Sequence, residues 1–140
     1  MKILIICSTS FYSKIELIKE KLLKQGHTLI MPNSYDEDEN DVDYTKMTEK
    51  EYQNFFSKMY HLSREKISQI DAVLVLNYDK EKNGQVYKNY IGASTFLEMY
   101  EAFMQNKKIY ILNDYPDNML LDEIKGFAPI VLNGNLDKIK

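Results

Sequence analysis

The carboxylate of Glu98 sits in surroundings with no basic residue nearby in the sequence. Residues 93 to 105 contain no lysine or arginine, whereas the first amphipathic segment of the chain intersperses lysines freely. Glu98 lies within NYIGASTFLEMYEAF, Asn89 to Phe103, where a glycine and a run of small hydroxyl residues lead into a helix. At roughly 100° per residue, Phe96, Met99, Tyr100 and Phe103 share one face and are expected to bury against a sheet. Glu98 then falls on the far side, flanked by Ser94, Thr95 and Ala102. Small neighbours leave room beside a carboxylate, as a pocket wall would, and a positioned carboxylate is equipped for catalysis. Two plainer readings stay open. Thr95 and Glu98 have the spacing of a capping box, and a helix-surface glutamate can simply face solvent.

A second chemistry-bearing cluster is Cys7-Ser8-Thr9-Ser10-Phe11. Hydroxyls and free backbone N–H groups at a helix entrance suit a phosphate or other anion. The loop lacks glycine, so it is neither a Walker loop nor a dinucleotide fingerprint, and N-capping by Ser8 or Ser10 explains it equally well. In the acidic stretch DEDENDVDY, Asp36 to Tyr44, the residues Asp36, Asp38 and Asn40 imitate the start of a calcium loop. Asp41 stands where the glycine belongs and Met47 where the glutamate belongs. A polar loop or lid is expected there, and no metal or other cofactor is expected in the protein.

These segments need elements to hold them. A chain of 140 residues makes one domain, 1–140, with 44% hydrophobic and 28% charged residues. A net charge of −3 without a basic run argues against a nucleic-acid polymer as partner. The one cysteine allows no internal disulfide and fits a reducing, cytoplasmic setting. No apolar run reaches membrane-spanning length, and MKILIICSTS reads as a strand in preference to a signal peptide.

Continuous apolar runs at Ile3 to Cys7, His27 to Met31, Ala72 to Leu76, Ile109 to Leu112 and Pro129 to Leu132 predict five strands. Between them, Phe11, Ile15, Ile18 and Leu22 mark a helix with Ser10 as N-cap and Gly26 as stop. Thr48 and Glu51 open a long helix to about Gln69 with an aromatic face of Tyr52, Phe55, Phe56, Met59 and Tyr60. A polar loop from Tyr78 to Tyr90 precedes the Glu98 helix, and a short helix covers Asn118 to Lys125. Strict strand–helix alternation implies a doubly wound α/β fold. It is Rossmann-like or flavodoxin-like: a five-stranded parallel sheet, order 2-1-3-4-5, with helices on both faces. In such sheets ligands sit beyond the carboxyl ends of the strands where the order reverses. That point faces Cys7 to Tyr12 and Asn77 to Glu98. The first of these loops carries Ser8, Ser10 and Phe11, and the second carries Asn77, Asn89, Gly92, Ser94 and Thr95, all expected within reach of such a ligand.

The combination of an apolar first strand with a Cys/Ser-rich turn, then GHTLIMP, DAVLVLN, NYIGASTFLEM and KKIYIL, resembles the nucleoside 2-deoxyribosyltransferase-like superfamily. That superfamily includes 2′-deoxynucleoside 5′-monophosphate N-glycosidases. The resemblance runs from Met1 to about Leu112, and its most specific part is the order strand, long loop, glycine, helix glutamate. It implies attack on an N-glycosidic bond, with Glu98 as nucleophile at C1′ of the sugar and a glycosyl-enzyme resolved by water or a second base. It implies Ser8 and Ser10 at a 5′-phosphate and Asn77, Asn89, Gly92 and Ser94 around the sugar. The implied partners are a small-molecule nucleoside or nucleotide and further copies of the chain, as a homodimer or larger oligomer.

Two positions depart from the family pattern. Cys7 stands where glycine is common, and Ser63 stands nearest the place of an aspartate that orients substrate or handles protons. His61, Asp79 and Asp114 are the alternatives for that role. If proton handling has been lost, the chain is a non-catalytic nucleotide or sugar-phosphate binding module of the same fold. Gly92-Ala93-Ser94-Thr95-Phe96-Leu97-Glu98 is also similar to the glycine-threonine-x-x-glutamate loop of nucleoside-monophosphate phosphoribohydrolases, without their extra glycines. A flavin electron carrier lacks any marked stacking residues.

Overall fold

The computed structural model describes residues 1–36 and 43–140. Asp38, Asn40 and Asp41, on which the calcium-loop reading rests, lie outside the described residues. The main sheet has five strands: β1 Lys2–Ile6, β2 Thr28–Ile30, β3 Ala72–Val75, β6 Lys108–Ile111 and β7 Ile130–Val131. They lie in the order β2-β1-β3-β6-β7, every neighbouring pair parallel. Counted within this sheet, that is the expected order 2-1-3-4-5. The fold is a doubly wound, Rossmann-like α/β sheet.

The alternation of side chains along each strand builds two cores. Ile3, Ile5 and Cys7 of the β1 segment, with Ala72, Leu74 and Tyr110, face α1 (Ile15–Lys24) and the C-terminal residues Leu136 and Ile139. Leu4, Ile6, Val73, Val75, Ile109 and Ile111 face α2 (Glu49–Ser68), α3 (Ala93–Met104) and α4 (Leu121–Gly126). Because both faces are covered, the strands carry no polar alternation and read as unbroken apolar runs. Each such fully buried side chain stabilises the fold by roughly 1.5–3 kcal/mol.

The helix ends follow from local chemistry. Gly26, at φ 88°, ends α1: its N–H reaches Leu23 O and the N–H of His27 reaches Leu22 O. This is the paired C-terminal arrangement that a left-handed residue permits. Thr48 caps α2, its Oγ1 accepting from the N–H of Glu51 at 3.2 Å. Thr48→Ala is expected to cost about 1 kcal/mol, read as a lower urea midpoint at unchanged m-value.

Three local expectations are corrected. The segment Thr9–Lys14 is a 3₁₀ turn capped by Ser8, not an α-helix capped by Ser10. The loop from Tyr78 to Tyr90 contains a hairpin, β4 Lys80–Lys82 and β5 Gln85–Tyr87. Its turn residues Asn83 and Gly84 both have positive φ, 52° and 77°, the pattern of an Asn-Gly turn whose twist matches its strands. Strands of three largely exposed residues show little hydrophobic alternation, so the turn dipeptide was the available signal.

The third correction concerns the Glu98 helix. Its buried stripe is Thr95, Met99 and Ala102, while Tyr100 and Phe103 are half exposed. Small Thr95 and Ala102 let the helix lie close on the sheet. The larger rings of Phe96, Tyr100 and Phe103 are displaced to one flank, where they pack around Phe127.

Candidate functional site

At the carboxyl edge of β1 and β2 the chain encloses a cavity of about 740 Å³, within the range of small-molecule sites. Its floor is the β1 turn, Cys7 to Thr9, and its near side is Pro32 to Ser34 after β2. One wall is α2, through Phe55, Phe56, Met59, Tyr60, His61, Ser63 and Arg64. The other is the start of α3, from Gly92 to Glu101.

Glu98 stands where the two helical walls meet. Ser63 Oγ donates to its Oε2 at 3.0 Å. Burial raises the carboxyl group to about 7, against the lowering effects of the Ser63 hydrogen bond and the charge of Lys66. Removing a carboxylate from water disfavours its charged form, and here that effect outweighs the two favourable neighbours. A group held near neutrality serves as an acid and as a base at physiological pH. The N-cap of α3 is Gly92, with Phe96 N–H bonded to Gly92 O at 2.9 Å. Glu98 is thus in the second turn, outside capping range, and neither the capping-box reading nor the solvent reading describes it.

The structure brings Ser8, Gly92, Ser94, Thr95 and Glu98 together around the cavity and leaves four other candidates outside its lining. Ser10 is exposed. Phe11 is a core residue, 3% exposed, packed edge-on against Tyr78. Asn77 is fully buried and ties two loops: Nδ2 donates to Asn113 O and Asp114 O, and Oδ1 accepts from Asn113 N–H. Asn89, at φ 52°, shapes the base of the hairpin, its N–H bonded to Asp79. Gly92 has ordinary φ, but a Cβ there would lie 3.1 Å from Tyr90 Oη. Glycine at this position therefore admits the Tyr90 ring at the cavity rim.

The proton-handling alternatives separate in the same way. Asp79 is held below the usual carboxylate range by the Asn89 N–H and by Lys88, and it lies off the cavity. Asp114 bonds the N–H of Tyr115. His61 lines the cavity on α2. The Cys7 thiol also lines it, but burial and then the charge of Glu98 push it up to about 12. It stays a thiol, which removes it as a rival nucleophile.

Sequence reasoning missed Asn33 and the partnership of Ser63 with Glu98. It also read the α2 aromatics as a helix face without assigning them to a site. Of α2 only Ser63 and Ile67 are buried. A serine four residues before an isoleucine on the one buried stripe of a long polar helix was the signal available. The α2–α3 wall is closed by Arg64 Nε at 2.8 Å from Glu101 Oε1 and by Gln105 Nε2 donating to Arg64 O. Among the described residues, no group of three His, Cys, Asp or Glu side chains is placed to hold a metal ion. No described helix is long and apolar enough to cross a membrane.

No family model and no curated protein matches the chain. Among solved structures, it is similar to the Clostridium botulinum CMP N-glycosidase BcmB at 14% identity and a TM-score of 0.47. The match covers 94% of this chain and 85% of that one. At that distance the likeness bears on neither substrate nor mechanism.

Proposed function

We propose that the protein breaks or exchanges the N-glycosidic bond of a nucleoside or nucleoside 5′-monophosphate, with Glu98 as nucleophile. The observation that carries this reading is a near-neutral carboxylate, oriented by a serine, in an aromatic-walled cavity at the carboxyl edge of a doubly wound sheet. The sequence resemblance to the nucleoside 2-deoxyribosyltransferase-like superfamily supports it.

The chemistry is balanced by the groups present. Ionised Glu98 attacks C1′, the C1′–N bond breaks, and its electron pair leaves with the base, which takes a proton from solvent or a neighbouring acid. The transition state resembles an oxocarbenium ion, so a fixed carboxylate both offsets the developing charge and captures C1′. Water then attacks C1′ and gives up a proton to solvent or to the group that protonated the base, the ester bond to Glu98 breaks, and the carboxylate returns. A second base in place of water gives transfer. Phe55, Phe56 and Tyr60 offer flat surfaces to a base, and Ser8 stands at the cavity floor for a sugar or phosphate oxygen.

Incubation with a panel of ribo- and deoxynucleosides and their 5′-monophosphates, followed by chromatography for free base, tests this directly. Release by wild type that disappears in Glu98→Ala is the expected result. Equal slow release by both proteins would end the proposal. Tight binding without turnover, seen as a ligand-dependent rise in melting temperature, would instead establish the non-catalytic binding module, for which Ser63 in place of a proton-handling aspartate is the specific argument.

A further inference from the structure

The cavity wall contains a hydrogen-bond chain whose polarity can be fixed atom by atom. Asn33 Nδ2 lies 3.3 Å from the Met59 carbonyl oxygen and 2.8 Å from Ser63 Oγ. A carbonyl only accepts, so the nitrogen of the amide, not its oxygen, must face Met59. The same nitrogen then donates to Ser63 Oγ. Serine has one hydroxyl proton, and with its oxygen accepting from Asn33 that proton points to Glu98 Oε2, 3.0 Å away. This orientation leaves Asn33 Oδ1 buried without a partner among the described residues. An orphaned acceptor is unfavourable, so the two donated bonds are what hold the amide this way round. Tyr12 Oη donates to the main-chain oxygen of Asn33 at 2.9 Å and anchors it from the other side.

We propose that Asn33 and Ser63 are positioning residues that keep Oε2 of Glu98 a permanent acceptor, so that its reacting lone pair, and its proton when neutral, are confined to Oε1. Oε1 has no hydrogen bond among the described residues and, unlike Asn33 Oδ1, is not a buried unpaired atom. Glu98 lines the cavity, and Oε1 is its oxygen that Ser63 does not engage. Which bond Oε1 attacks rests on the N-glycosidic reading; the polarity of the chain does not. The other ionisable groups around Glu98 are Cys7 at the end of β1, Lys66 and His61 on α2, and the Arg64–Glu101 pair joining α2 and α3. Substitution of Ser63 leaves all of them in place.

The test is carboxyl-carbon NMR of protein labelled in its glutamate side chains, with the Glu98 signal assigned by its loss in Glu98→Gln. In Ser63→Ala, Glu98 is expected to become an about tenfold weaker acid, the value of one hydrogen bond to a charged group. Asn33→Ala, which frees the serine hydroxyl to turn away, shifts it in the same direction by less. Ser63→Thr keeps the hydroxyl and titrates as wild type does. Should Ser63→Ala fail to fold, Asn33→Ala and Ser63→Thr carry the comparison. A Glu98 midpoint in Ser63→Ala or Asn33→Ala equal to that of wild type overturns the proposal. The shift appearing in a protein that releases no base would sink the N-glycosidic reading alone. Base release whose acid limb stays at the wild-type pH in Ser63→Ala would sink the positioning chain alone.

Discussion

Replacement of Glu98 by alanine is expected to slow release of free base by roughly a thousandfold or more, with a much smaller change in KM. On the proposed function the carboxylate forms a covalent bond with C1′, so its loss acts on the transition state more than on binding. The pH profile should identify the same group. Nucleophilic attack needs ionised Glu98, and its carboxyl group stands at about 7. The kcat/KM of wild type should therefore rise about tenfold per pH unit up to about 7 and level off above it. At pH 5 it should be about a hundredfold below the plateau. A small carboxylate such as formate, admitted to the space left by Glu98→Ala, should restore part of the rate. Activity that is flat from pH 5 to 8, or undiminished in the alanine variant, would assign the chemistry elsewhere.

Glu98→Gln is expected to stabilise the fold at pH 8 while abolishing turnover. The carboxyl group is raised in the folded protein from 4.5 to about 7. Between those values the folded state holds a proton that the unfolded chain has released. Stability from this group is therefore fully present below about 4.5, falls as pH rises toward 7, and is constant above. The loss amounts to about 3 kcal/mol. Glutamine keeps the shape and still accepts from Ser63, but has no charge to desolvate. At pH 8 its melting temperature should exceed that of wild type by roughly 5–10 °C, and at pH 4.5 the two should converge. Calorimetry at both pH values decides it; equal melting temperatures at pH 8 would mean that Glu98 is not held out of water.

Strand order was readable from residue pattern. Unbroken apolar strands can only be buried on both faces, and right-handed crossovers then leave few arrangements. The position of Glu98 at the carboxyl edge follows from that topology. The details that failed depend on size more than on polarity. A 100° wheel ranks Tyr100 and Phe103 above Thr95 and Ala102, yet the sheet accepts the smaller side chains because they allow close approach. Asn77 was expected at the ligand site, and in the structure its buried amide bonds backbone atoms of Asn113 and Asp114. Asn33 and Ser63 lie 30 residues apart, and no local spacing connects a residue after β2 with one facing it from α2.

The wall contributed by α2 has a further consequence. Its cavity-facing aromatics are only partly buried, and the buried positions of the helix are Ile67, which packs in the core against the sheet, and Ser63, which meets Asn33 and Glu98. The side chains of Phe55, Phe56, Met59 and Tyr60 are thus separate from Ile67, while Ser63 belongs to both the cavity wall and the buried stripe. Surface-lying positions usually tolerate exchange within about 0.5 kcal/mol, so the chain can change which molecule it accommodates by substitution at Phe55, Phe56, Met59 or Tyr60 without endangering its fold. On the proposed function, selectivity can drift in this protein while its architecture stays constant.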